Sequence, residues 1–110
     1  QNKPYIIFIM GGTNDLLCGR SVDYILNNIE IMIKDALAIN SQVIIGIPPI
    51  IFGDMANDLF CPSPFYTYAE DKLSLLHKEL IKLCNKYLVS YIDFYSILLN
   101  KKILSFNISI

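Results

Sequence analysis

The sequence predicts an α/β domain whose strands form a parallel sheet. Three short apolar segments with the character of buried strands alternate with two longer segments of helical periodicity. This alternation is typical of βαβ units, in which right-handed crossovers bring successive strands into a parallel sheet. Hydrophobic residues make up 54% of the 110 residues, and a chain of this length can bury about two-thirds of its surface. We therefore expect one domain over residues 1–110, in the order β-α-β-α-β.

The first strand is predicted at Tyr5 to Met10. This continuous apolar run ends at Gly11-Gly12, which is the pattern of a strand buried on both faces. The chain begins at Gln1, not at Met, and reaches the strand almost at once. We therefore expect that further chain precedes residue 1.

The first helix is predicted between Ser21 and Ile39. Ser21 suits the N-cap position, and Glu30 and Lys34 are spaced to pair on the outer face. Asn40-Ser41 ends the pattern. The apolar residues recur at three- and four-residue steps and should form the buried stripe: Val22, Ile25, Ile29, Met32, Ile33 and Ala36.

The second half repeats this organisation. A strand at Val43 to Ile47 ends at Pro48-Pro49 and precedes a loop over residues 52–62. The second helix begins either at Ser63-Pro64 or at Thr67, since both patterns are helix starts. A third strand is predicted at Val89 to Tyr95. The predicted buried stripe of the second helix is Ala69, Leu73, Leu76, Leu80, Leu83, Cys84 and Tyr87.

Composition excludes several classes of function. Nine basic against ten acidic residues give a net charge of −1, whereas a nucleic-acid-binding surface usually carries a basic excess. No apolar run approaches the ~20 residues of a membrane span, and no secretory signal is present. The odd number of cysteines, Cys18, Cys61 and Cys84, favours free thiols in a reducing compartment. We expect a cytoplasmic protein.

The most informative chemistry follows the first strand. Ligands of open parallel sheets bind at the carboxyl ends of the strands, and Gly11-Gly12-Thr13-Asn14-Asp15 stands at such an end. Two glycines permit a sharp turn and a close approach of a ligand. Asn14 supplies an uncharged amide donor, and Asp15 a carboxylate that can brace the turn. The same residues also make an ordinary turn, so the pattern alone leaves both interpretations open.

The stretch Ile-Phe-Ile-Met-Gly-Gly-Thr-Asn-Asp-Leu resembles the third signature block of the SGNH hydrolases, the GDSL-type lipases and acylhydrolases. That block reads Gly-x-Asn-Asp, matched by Gly12, Thr13, Asn14 and Asp15. The following helix, the strand ending in Pro-Pro, the long helix and the Val-Ser-Tyr-Ile-Asp-Phe-Tyr segment extend the resemblance over about residues 4–99. It implies a flavodoxin-like three-layer α/β/α fold.

The resemblance also implies a mechanism. In the family a serine of a Gly-Asp-Ser block attacks an ester carbonyl, and a histidine of an Asp-x-x-His block acts as base. Asn14 matches the side-chain donor of the oxyanion hole, and Gly12 the turn that supports it. The substrate would be a small-molecule ester, with no cofactor and no metal. Residues after the second strand and at the start of the second helix could line the substrate pocket: Pro48, Ile50, Phe52 and Tyr66.

The sequence departs from the family at the catalytic residues. It contains neither Gly-Asp-Ser nor Asp-x-x-His. His77 is the only histidine, and we interpret it as a helix-surface residue and Ser21 as a helix cap. Cys18 is expected to be a packed thiol. Asp54, Asp58, Glu70 and His77 do not have the spacing of metal ligands.

Three functions therefore remain open. The first is an ester hydrolase, of which this chain is a part that is inactive alone. The second is a non-catalytic binding or interaction module derived from the same fold. The third, which the sequence supports least, is a nucleotide-binding domain that uses Gly11-Gly12. The family's strand order further predicts that Tyr5 to Met10 forms an exposed sheet edge that promotes self-association.

Overall fold

The computed structural model describes residues 5–51 and 63–100. The elements follow the predicted order, with two helical additions, the first of which directly follows the first strand. Residues 94–100 form a further helical segment after the last strand. The elements are β1 (Ile6–Met10), α1 (Thr13–Leu17), α2 (Val22–Ala38), β2 (Gln42–Ile47), α3 (Phe65–Tyr87) and β3 (Ser90–Asp93).

The three strands form one parallel sheet in the order β1-β2-β3. Ile6 of β1 lies opposite Gln42, and Ile44 of β2 lies opposite Ser90. Both crossovers run in the same direction across the sheet, so right-handed connections place α2 and α3 on the same face. The predicted α/β fold with a parallel sheet is confirmed.

The core lies between this face and the two long helices. Val43, Ile45 and Ile47 alternate along β2 and are buried at 3% exposure or less. Five residues of each long helix cover them: Val22, Ile25, Ile29, Ile33 and Ala36 of α2, and Ala69, Leu73, Leu76, Leu80 and Cys84 of α3. The prediction that Met32 belongs to this stripe is wrong, since Met32 is 45% exposed. Ile29 and Ile33 occupy the buried face of α2, and Met32 lies beside that face.

Within the described residues β1 is not buried on both faces, as its apolar run predicts, but lies at an exposed sheet edge, as the family's strand order predicts. Ile9 is buried, but Ile6, Phe8 and Met10 are exposed. A Cβ atom added to Gly46 would lie 2.7 Å from Phe8 Cζ and 2.9 Å from Met10 Sδ. Phe8 and Met10 therefore lean over Gly46 on the face opposite the helices. Within the described residues neither long helix covers that face.

Local side-chain bonds fix the helix ends. The Ser21 hydroxyl accepts the Tyr24 N–H at 3.1 Å, which confirms the predicted cap of α2. The Ser63 hydroxyl accepts the Phe65 N–H at 3.2 Å. Because α3 begins at Phe65, the structure favours the Ser63-Pro64 start over the Thr67 start.

Glu30 joins α2 to α3. We expected it to pair with Lys34, but it accepts hydrogen bonds from Lys86 Nζ at 2.9 Å and from the Tyr87 hydroxyl at 2.5 Å. The Tyr87 bond, and then the Lys86 bond, lower the pKa of Glu30, to which Lys34 adds only a longer-range attraction. Packing of the two helices brings donors from α3 closer than the donor one turn along α2.

Candidate active site

The chain turns sharply after β1, and Gly12 makes this turn. Its φ of 119° is a conformation that side chains with a Cβ rarely adopt. A Cβ at this position would also lie 2.9 Å from Leu76 Cδ2 and 3.2 Å from Ile25 Cγ2. Both the conformation and the close packing against α2 and α3 therefore require glycine at residue 12.

Asn14 stands in a depression at the carboxyl ends of β1 and β2. The depression has a volume of about 330 Å³ and is lined by Met10 to Asp15 together with Pro48. Asn14 is exposed in helix α1, and its backbone carbonyl accepts the Cys18 N–H at 3.0 Å. The structure thus places Gly12, Thr13, Asn14, Asp15 and Pro48 around one depression.

Asp15 braces the same turn through Arg20. The guanidinium donates to Asp15 Oδ1 at 2.9 Å, and the Arg20 backbone N–H donates to the Asp15 carbonyl at 2.9 Å. The Tyr68 hydroxyl then donates to the Arg20 carbonyl at 2.8 Å. This chain of bonds ties α1 to α3. The role of Arg20 was not predictable from the sequence, because it depends on a loop conformation without a sequence signature.

A second, larger depression lies beside the residues that follow β2. It has a volume of about 440 Å³. Its lining comes from the residues after β2, from the first half of α3 and from the segment after β3: Ile50, Thr67, Glu70, Asp71, Ser74 and Tyr95.

The predicted pocket residues do not form one wall. Pro48 belongs to the smaller depression and Ile50 to the larger one. Tyr66 is half-buried and is not among the residues that line either depression. Phe52 lies outside the described residues. Pro48 and Ile50 separate because the chain passes between the two depressions as it leaves β2.

The interpretation of His77 as a helix-surface residue is wrong. Its side chain is 19% exposed, and its Nε2 lies 2.8 Å from Asp93 Oδ2 at the end of β3. The imidazole also stacks on the Tyr95 ring, with centroids 4.7 Å apart and an angle of 22° between the planes. Because α3 runs back along the sheet, a residue in its middle reaches the carboxyl end of the last strand.

Asp93 also caps the helical segment 94–100. Its Oδ1 accepts the backbone N–H of Ser96 at 3.0 Å, which is the bond of an N-cap aspartate to the third residue of a helix. Its Oδ2 accepts the Ser96 hydroxyl at 2.8 Å. The predicted strand to Tyr95 is therefore wrong, and β3 stops at Asp93. The Asp93–Ser96 spacing was the sequence signal that could have shown this helix start.

Histidine, aspartate and serine meet here, but their arrangement is not that of a catalytic triad. A triad histidine uses one ring nitrogen toward the carboxylate and the other toward the serine. Here His77 Nε2 faces both Asp93 Oδ2, at 2.8 Å, and the Ser96 hydroxyl, at 3.4 Å. The Ser96 hydroxyl donates to the carboxylate, so its hydrogen is not directed at the imidazole.

The electrostatics of this cluster favour an ionised Asp93. Partial burial alone would raise the pKa of its carboxyl group, but the hydrogen bonds from Ser96 and His77 outweigh burial and hold the pKa below the usual value. An ionised carboxylate only accepts hydrogen bonds. His77 Nε2 must therefore carry the hydrogen that lies between the two groups.

The two described cysteines are free. Cys18 is exposed, so the expectation of a packed thiol is wrong: it follows α1 and points away from the core. Burial raises the pKa of the Cys84 thiol to about 11, so this group stays protonated at neutral pH. Asp54, Asp58 and Cys61 lie outside the described residues. Within residues 5–51 and 63–100, no group of three or more His, Cys, Asp and Glu side chains could hold a metal ion.

No protein-family model matches the sequence, and no curated protein matches it. Among solved structures, the chain is similar to a member of the lipolytic protein G-D-S-L family from Veillonella parvula DSM 2008, with a TM-score of 0.72 and 24% identity. The chain has the fold of this G-D-S-L lipolytic protein. The similarity covers 94% of this chain but 51% of the other, so this chain spans about half of its neighbour's length. None of the helices in the described residues is long and apolar enough to cross a membrane.

Proposed function

We propose that this chain is part of a serine ester hydrolase of the GDSL type, in which Asn14 donates a hydrogen bond to the oxyanion. One observation carries the proposal: an exposed asparagine lies in a depression at the carboxyl edge of a sheet with the fold of a lipolytic protein. Ligands of parallel α/β sheets bind at this edge. The substrate is a small-molecule ester, and no cofactor is required.

The chemistry of ester hydrolysis explains why an asparagine suits this position. Negative charge develops on the carbonyl oxygen as the tetrahedral intermediate forms, and a fixed neutral donor stabilises that charge without titrating. The Gly12 turn and the Asp15–Arg20 pair hold helix α1 in one place. A donor held in place needs little reorganisation during the reaction, which favours the transition state.

The 110-residue chain alone should be inactive, because it lacks the family's serine nucleophile block and has no histidine placed to act as its base. The sequence has no Gly-Asp-Ser. Its only histidine faces both Asp93 and Ser96 through the same ring nitrogen, Nε2, so it does not lie between a carboxylate and a serine as a triad base does. Members of a triad act as a unit, and an oxyanion donor by itself retains little activity.

A short activated ester and a serine-directed covalent probe test the proposal. We expect turnover and stoichiometric serine labelling in the longest natural form of the protein that contains these residues, and neither in the 110-residue chain. Labelling of a serine within residues 1–110, with turnover, would contradict the inactivity of the isolated chain. A longer form without turnover on a panel of esters would contradict the proposed hydrolase.

The second candidate is a non-catalytic binding module with the same fold. The bond between His77 and Asp93 favours it, since the only histidine of the chain serves a structural contact. The two candidates differ in the longer protein: the hydrolase turns esters over, whereas the module binds an ester or its product without releasing acid.

A further inference from the structure

We infer that His77 is a positioning residue that fixes how the chain leaves the last strand and forms one wall of the larger depression. Four side chains carry the inference: His77 of α3 and Asp93, Tyr95 and Ser96 at the end of β3. We call them the His77 cluster. His77 is the only one of them that belongs to α3, so it alone ties the end of β3 to that helix within the cluster.

The contact between His77 and Asp93 has a defined direction. Asp93 is 26% exposed on its side chain and His77 19%, so water competes only partly for their bond. Since the ionised carboxylate is an acceptor, His77 is the donor through Nε2. The Ser96 hydroxyl donates to the same oxygen, Oδ2, and leaves Oδ1 to accept the Ser96 backbone N–H.

Because the two carboxylate oxygens of Asp93 have different donors, the helix cap depends on His77. The carboxylate of Asp93 must keep one rotation for Oδ1 to reach the Ser96 N–H. The two donors on Oδ2 hold that rotation, and His77 is the donor that comes from outside the capped segment. Without His77, the carboxylate of Asp93 is held only by bonds from the segment 94–100, which is the segment that Asp93 caps. The segment 94–100 should then fray at its first turn.

The same imidazole also holds the Tyr95 ring in place. Tyr95 is 8% exposed, and its ring stacks on His77. Tyr95 also lines the 440 Å³ depression together with Ile50 and Ser74. Through this stacking, His77 supports the wall of the depression that Tyr95 forms. Use of the depression by an ester substrate rests on the proposed function, whereas the positioning by His77 does not.

Two substitutions separate the donor from the ring. His77→Phe keeps an aromatic ring for Tyr95 but removes the donor, and His77→Gln keeps an amide donor near the position of Nε2 but removes the ring. Lys78→Gln is the matched control on the exposed neighbouring residue. Hydrogen exchange by NMR, in the longest soluble form of the protein, follows the Ser96 amide as the readout and the core Ile45 amide as the measure of global unfolding.

We expect the protection of the Ser96 amide, relative to Ile45, to fall about tenfold in His77→Phe, as for the loss of one hydrogen bond to a charged group. It should stay within about twofold of the wild type in His77→Gln and in Lys78→Gln. Unchanged protection in His77→Phe, an equal loss in His77→Gln, or an unprotected Ser96 amide in the wild type would each overturn the inference.

A measurement on the unmodified protein decides the matter if His77→Phe does not fold. Nitrogen-15 NMR above neutral pH shows which ring nitrogen carries the hydrogen. We expect the hydrogen on Nε2, and a hydrogen on Nδ1 would overturn the inference. Neither measurement involves ester turnover, so a failure of the proposed hydrolase and a failure of this positioning role are distinguishable.

Discussion

Two adjacent glycines after β1 have different roles. Gly12 has a φ of 119° and packs against Leu76 and Ile25, whereas a Cβ added to Gly11 would meet nothing within 4 Å. The sequence showed two glycines at a turn, but only tertiary packing tells which of them is required. The contact depends on two helices that lie far from Gly12 along the chain.

Gly12→Ala should therefore destabilise the protein by about 1–3 kcal/mol, because it adds both backbone strain and a steric overlap. Gly11→Ala is the matched control and should change the free energy of unfolding by less than about 1 kcal/mol. Chemical denaturation of the longest soluble form measures both. Equal effects of the two substitutions would show that residue 12 has no special conformation.

Asp93 should make stability depend on pH in a defined direction. Its folded pKa is lowered, so the stabilisation is present above the unfolded pKa of about 3.9 and is lost as the pH falls through the folded value. The groups that face the carboxylate are His77 of α3 and Ser96. Glu30, whose pKa is also lowered, adds a dependence of the same sign elsewhere.

Asp93→Asn should consequently flatten the loss of stability between pH 5 and pH 2, as estimated from the usual titration range of carboxyl groups. Asp35→Asn, on the exposed side of α2, is the control and should leave the curve nearly unchanged. Denaturation midpoints measured across this pH range for the wild type and both variants test this prediction. A curve for Asp93→Asn that parallels the wild type would mean that the carboxylate contributes nothing to the acid response.

The sequence correctly predicted the helices and strands whose positions depend on local periodicity. The cap at Ser21 and the strand before Pro48-Pro49 appear in the structure, as do the two buried stripes apart from Met32 of α2 and the partly buried Leu83 and Tyr87 of α3. The start of the helical segment 94–100 was not predicted, because the apolar residues after Asp93 look like a continuation of the strand. The partner of His77 was missed for another reason: the two residues are 16 positions apart, and only the path of α3 brings them together.

Strand β1 shows the limit of the apolar pattern. A continuous apolar run predicts burial on both faces, yet Ile6 is 67% exposed and Phe8 51%. The strand lies at the edge of the described sheet, with β2 on one side.

The isolated 110-residue chain should therefore self-associate through β1. An apolar edge without a charge or an internal proline favours pairing with another chain. Ile6→Lys should reduce the self-associated fraction in size-exclusion chromatography, whereas Ile31→Lys, at an exposed position of α2, should not. A wild-type chain that elutes as a monomer, with strong amide protection across residues 6–9, would contradict this prediction.

At the scale of the whole molecule, the described structure is a sheet with both long helices on one face. The depression around Asn14, the larger depression and the His77 cluster all lie toward the carboxyl ends of the strands. This is the edge where parallel α/β sheets bind ligands. The fold and the Asn14 turn were predictable from the sequence, but the division of the pocket and the bonds that brace it depend on tertiary packing.

The kinetics of Asn14→Ala in the longest active form of the protein test whether Asn14 donates to the oxyanion. We expect kcat to fall roughly 10²–10³-fold, or about 2.7–4 kcal/mol, with KM nearly unchanged, because the lost donor acts on the transition state. Asn28→Ala, at an exposed position of α2, is the control and should keep the wild-type kcat. An active enzyme whose kcat is unaffected by Asn14→Ala would contradict the assignment of Asn14 to the oxyanion hole.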